Sequence, residues 1–249
     1  MEPLPAHSKH HSLCPSIFVR LNKLGLLCLI ALLVGCVPAF QIADNFQQPA
    51  PSVRVFLMQP DIQLTELSAG GLQEPRADWT AAARKNITKA LTDLLKERED
   101  SLVLYREPKN NPATLHLHNQ LIKLHEVVGE TILIHKYLPA YALPTKSKGF
   151  DWSLGEDVDT LREQHAVDYA LFLYIRDSYV SAGRAALMVA AAAFGVGLSG
   201  GVQLGFASLV DLRTGQVVWF NRLYRGTGDL RTPEPAREAV QQLLANIPL

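Results

Sequence analysis

The chain has 249 residues, 24 basic and 24 acidic, so its formal net charge at pH 7 is zero. Near-neutral charge without a basic run argues against nucleic acid as a partner, and 48% apolar against 19% charged residues argues against disorder. The only cysteines, Cys14, Cys28 and Cys36, lie near the start and leave the body of the chain no disulfide.

The first segment reads as an address. Arg20 and Lys23 precede an apolar run from Gly25 to Val34, and small Gly35 precedes Cys36. That order is a secretory signal, and the run falls short of the ~20 residues of a membrane-spanning helix. Leu33-Val34-Gly35-Cys36 resembles a bacterial lipobox, where signal peptidase II cuts and a lipid joins the cysteine. The competing readings are cleavage without a lipid and an uncleaved anchor helix. Val37, rather than an aspartate, follows Cys36; by resemblance to enterobacterial lipoproteins this implies an outer-membrane anchor with the domain facing the periplasm. The expected division is a signal peptide at 1–35, a lipidated tether at 36–52 and one periplasmic domain at 53–249. Removing residues 1–35, with Lys9, Arg20, Lys23 and Glu2, leaves 214 residues, 21 basic and 23 acidic. Cys36 is then the sole cysteine, and a lipid thioether removes a reactive thiol.

Residues 37–52 hold Pro38, Pro49 and Pro51 without a sustained period, as a tether would. Residues 53–58 read as a buried strand closed by Pro60, followed by a loop with Gly70-Gly71 and Pro75. Asp78 is placed to cap a helix whose face is Trp79, Ala83, Ile87, Ala90, Leu91 and Leu94. Leu102 to Tyr105 reads as a strand. A second helix carries Leu117, Leu121, Leu124, Val128 and Ile132 on one side, and a third, shorter one is expected over 157–165. Residues 169–175, aromatic and branched, form a strand. Residues 202–212 and 216–223 form a hairpin, with Gly215 supplying a left-handed turn position. In it Trp219 is expected to share a face with Val217 and Asn221. Thr232 caps a last helix, Pro233 starts it, and Ala236, Val240, Leu243, Leu244 and Ile247 form its buried stripe. The fold class is therefore α/β with an α+β tendency. The order β-α-β-α-α-β-β-β-α makes a mixed sheet with covering helices, a C-terminal hairpin and a final helix.

One segment stands apart. Residues 185–210 carry no charge, and 185–201 are rich in alanine and glycine. The preferred reading is a buried helix leading into the hairpin. A surface that meets the membrane or another protomer, and a true transmembrane helix, are the alternatives. Gly195 to Gly200 match G-x-G-x-x-G, but a nucleotide site needs a strand before those glycines and a helix after them, and here the order is reversed.

No catalytic constellation emerges. His116, His118 and His125 are close in sequence, yet positions two apart point away from each other on a helix, and two turns separate His118 from His125. No catalytic residue, metal ligand or cofactor is assigned. Glu156, Asp157 and Asp159 start a helix, where carboxylates suit the dipole. Trp79, Trp152 and Trp219 read as packing residues.

Asp211-Leu212-Arg213-Thr214-Gly215-Gln216-Val217-Val218-Trp219 is similar to the D-x-x-T-G-x-[VI]-x-W hairpin of the CsgG-like and TolB N-terminal-like group of periplasmic lipoproteins. His165 to Leu171 resembles that group's helix-to-strand junction, with His165 in place of a small residue, and the helix from Pro233 also fits. The resemblance covers about residues 157–249. It implies an α/β sandwich-like domain that scaffolds or assembles at the envelope. It does not imply a pore: the curli secretion lipoprotein builds its barrel from two amphipathic hairpins per subunit, and this chain has one apolar stretch without period-two alternation. The functional expectation is a non-enzymatic envelope lipoprotein that binds protein partners or forms a homo-oligomer. The alternatives are a transport or secretion subunit whose segment 185–201 contacts the membrane, and an enzyme with a site not visible in sequence.

Overall fold

The computed structural model describes residues 40–50, 53–96 and 101–249. Cys36 and the expected signal lie outside the described residues. In chain order the elements are β1 (Phe40–Ile42), β2 (Val55–Leu57), β3 (Asp61–Leu67), β4 (Gln73–Pro75), α1 (Ala77–Leu94) and β5 (Leu102–Leu104). There follow α2 (Pro112–Tyr137), α3 (Asp159–His165), β6 (Tyr169–Val180), α4 (Ala182–Ala193), β7 (Gln203–Asp211), β8 (Val217–Arg225) and α5 (Pro233–Leu243). The fold is mixed α/β, with one open eight-stranded sheet in the order β1-β8-β7-β6-β2-β5, and β3 and β4 joined at β6.

Strand β6 organises the sheet. Its first residues pair in parallel with β2, and its remainder pairs in parallel with β3. β2 and β3 thus follow one another along the same side of β6, interrupted at Gln59-Pro60, where proline has no N–H for the ladder. Where the sequence pattern predicts a loop after Pro60, the chain resumes as β3, burying Ile62, Leu64 and Leu67, then turns into β4. Within the span expected as a tether, Phe40–Ile42 instead pair antiparallel with Asn221, Phe220 and Trp219 of β8, and Ala43 is buried.

Helices cover both faces. On one, α1 buries Ala83, Ile87, Ala90 and Leu91, and α5 buries Ala236, Ala239, Val240 and Leu243 against Leu57, Leu173, Leu209 and Trp219. On the other, α2 and α3 bring Leu121, Ile132 and Leu161 onto Phe56, Phe172, Phe206 and Phe220. Rings of three neighbouring strands stack here, Tyr174 on Phe206 at 4.6 Å and Phe206 on Phe220 at 5.4 Å. Gly129 of α2 passes directly over Phe206; a Cβ there would lie 2.0 Å from its ring.

Local signals hold at several ends. Pro233 opens α5 after Thr232, and Gly215 has φ of 71°. Thr232 follows the expected order without capping through its side chain, since its hydroxyl donates to the Asp229 carbonyl. Asp78 is not a cap: it sits in the first turn of α1, paired with Arg76. On α2 the buried stripe is His118, Leu121, His125, Gly129 and Ile132, whereas Leu124 faces out.

Candidate functional site

Residues 185–201, which the sequence reading preferred to bury, are at the surface. Helix α4 has no buried residue. It leaves the end of β6, begins at Ser181, whose hydroxyl accepts from the Arg184 N–H at 3.1 Å, and is held to the body along one side. Arg184 Nη2 donates to the Ser199 carbonyl at 3.0 Å, folding the following loop back on the helix. Outward stand Leu187, Val189, Phe194 and Val196, with Val189 75% and Phe194 86% exposed. The transmembrane reading is overturned, because no helix among the described residues is long and apolar enough to cross a membrane. Gly195 to Gly200 lie after a helix and before β7, the wrong order for a phosphate cradle.

A second apolar stripe runs along the outer side of α2. Leu124, Val127 and Ile134 are exposed, and Leu138 and Tyr141 continue it past the helix end.

Near the end of β6 lies a polar cluster. Buried Asp177 accepts from Tyr179 and from Gln203 Nε2 at 2.8 Å, and Tyr179 Oη accepts from the Leu230 N–H at 2.8 Å. Burial pushes the Asp177 carboxyl up despite those donors. Arg231 stacks on Trp79 and Tyr179 at 4.4 Å from each ring, and Arg76 covers Trp79 at 4.2 Å. These contacts lock the loop before α5 onto α1 and β6.

On the opposite face, Arg176 donates to Asp61 at 3.0 Å and to Glu126 at 2.9 Å, and Lys123 joins Asp61 at 3.0 Å. Burial raises the Asp61 carboxyl, but the bonds from Arg176 and Lys123 outweigh it and hold the group low. The network ties β3, β6 and α2 together.

The three helix histidines part company. His116 is exposed, while His118 and His125 are buried. His125 Nε2 bonds the Ser208 hydroxyl at 2.9 Å. His118 meets His165 and Tyr105, from distant segments, with ring centroids 5.9 and 5.6 Å away. Sequence spacing gave no signal for that meeting. Among the described residues no three His, Cys, Asp or Glu groups converge as a metal site. Glu156, Asp157 and Asp159 open the turn and helix they were expected to start. Trp219 is fully buried, and Trp79 and Trp152 pack at the core margins.

No family model matches the sequence, and no curated protein matches it. Among solved structures the chain is similar to the PelC dodecamer from Paraburkholderia phytofirmans, at 12% identity over 85% of this chain and 98% of that one, with a TM-score of 0.36. It is similar to the LpoB C-terminal domain from Salmonella enterica at 12% identity, 74% and 88% coverage and a TM-score of 0.27. With the lipoprotein GNA1162 from Neisseria meningitidis it shares 15% identity over 70% and 84% of the two chains, with a TM-score of 0.26. Likenesses at these TM-scores carry no argument about function.

Proposed function

We propose that this chain is an outer-membrane-anchored periplasmic lipoprotein without enzymatic activity. It acts as a scaffold or assembly factor that binds protein partners or a second copy of itself. The lipobox ending at Cys36 supports the anchor and Val37 supports the outer membrane. The observation that carries the contact role is the stretch 185–201 of α4 and its loop: it has no charged residue and presents outward apolar side chains. The outer stripe of α2 offers a second surface for a protein. Crosslinking in intact cells, then sizing of the detergent-solubilised complex, tests the reading. A defined neighbour or a homo-oligomer is expected; a strict monomer without a crosslinked neighbour counts decisively against it.

A second reading places the α4 segment against the membrane, as in an auxiliary subunit of a transport or secretion system. Strand polarity favours it. β1 runs antiparallel to β8, so its Phe40 end points toward Arg225, the end of the sheet from which α4 projects. Vesicle flotation of Cys36→Ser, with and without residues 185–200, separates the readings: retention that depends on the segment favours the membrane.

A further inference from the structure

Buried polar atoms normally find partners, and each exception needs a physical explanation. Seven buried side-chain nitrogen or oxygen atoms among the described residues have none, and four of them converge: Tyr105 Oη, His118 Nδ1, His118 Nε2 and His165 Nε2. A buried polar atom left unpaired is destabilising, so the cluster calls for a ligand.

Three elements fix the arrangement. His118 lies on the buried side of α2 and is only 1% exposed. Tyr105 follows β5, its N–H bonded to the Leu57 carbonyl at 3.0 Å. His165 ends α3, held by the left-handed Ala166, whose N–H bonds the Arg162 carbonyl at 2.9 Å. Phe56 of β2 stacks on the His165 ring at 4.2 Å and fixes its plane. His165 also lines a cavity of about 670 Å³ with Lys96, Leu102, Leu104 and Arg106.

We propose that His118, His165 and Tyr105 bind a divalent first-row transition ion of the zinc, nickel or copper class. Imidazole nitrogens suit those ions, and 5.9 Å between the two imidazole centroids is compatible with two rings sharing one ion at Zn–N bonds of about 2.0–2.1 Å. Burial pushes both imidazoles below their usual range, and for His118 the neighbouring His165 adds to it. Gln164 opposes the His118 shift but makes no hydrogen bond of ordinary geometry to that ring. Coordination of the Tyr105 oxygen releases the phenol proton to solvent. Water from the cavity completes the coordination. A bound water alone is the competing occupant, and it needs no metal.

Titration of the full chain with Zn²⁺ alone, followed by calorimetry, tests the site. One equivalent is expected to bind, at least about tenfold more weakly in His118→Ala and in His165→Gln, and unchanged in His116→Ala. Cu²⁺ is expected to give a visible phenolate-to-copper charge-transfer band that Tyr105→Phe abolishes. Should His118→Ala fail to fold, His165→Gln and Tyr105→Phe, which conserve size, carry the test. Absence of Zn²⁺ binding, binding that survives the histidine substitutions, or a band that survives Tyr105→Phe overturns the proposal.

Discussion

Val217 and Trp219, two residues apart in β8, face opposite sides of the sheet. Val217 packs in the layer under α2 and α3, and Trp219 in the layer under α1 and α5. Strict alternation would put them together, as the sequence reading expected. The register shifts between them: Leu209 pairs Trp219, but Val210 pairs Val217, leaving Val218 as the extra residue of a β-bulge. Val218 and Trp219 then share one layer.

Trp219 is therefore a principal strut of that layer. Trp219→Ala is expected to cost about 3–5 kcal/mol. Its Nε1 has no partner, so Trp219→Phe, which keeps a ring and removes an unpaired donor, is expected to cost far less. Urea unfolding of the two variants measures the difference; equal losses would refute this role.

Gly129 sets how closely α2 approaches the sheet. Alanine is the better helix former by about 1 kcal/mol, yet a Cβ at this position would meet the Phe206 ring. That ring is held between Tyr174 and Phe220 and has no room to move. Gly129→Ala is thus expected to destabilise, by about 1–3 kcal/mol. Phe206→Leu should be milder in the Gly129→Ala background than alone, a coupling that a double-mutant cycle detects.

Acid should loosen α2 before carboxylates titrate. Burial lowers the His125 imidazole to about 3, so it stays neutral in the folded chain. The unfolded chain takes up a proton near pH 6.5, so it binds more protons than the native state below that value. Stability is full above pH 6.5 and falls as pH drops toward 3, by up to about 1.4 kcal/mol per unit. His118 and His165 shift in the same direction and steepen the loss. Unfolding free energy measured from pH 7.5 to 5 should show the slope, and His125→Gln should flatten it.

The α4 surface should be dispensable for folding. Val189→Asp and Phe194→Asp alter exposed positions and are expected to change stability by no more than about 0.5 kcal/mol. The same substitutions should abolish the crosslinked neighbour or the flotation of the lipid-free protein. Thermal melts beside the contact assay check both halves; a large fall in melting temperature would show the segment to be structural.

Sequence by itself determined the features that rest on local chemistry. These are the Gly215 hairpin, the Pro233 helix start, the apolar stripes of α1 and α5, and the mixed α/β class. Each depends on neighbours within a few residues, where spacing and turn preference suffice. Tertiary structure decided what depends on partners far away. β1 and β3 exist because β8 and β6 offer them open edges, and a three-residue strand or one beginning beside a proline has too little signal of its own. Alanine and leucine in α4 read as core material, but hydrophobicity fixes only what a surface would gain by being covered. The body of the fold, already closed by α1, α2, α3 and α5, leaves that surface outside. The meeting of His118 with His165 is of the same kind: 47 residues separate them in the sequence, and only the packing of α2 and α3 on one face of the sheet brings their rings together.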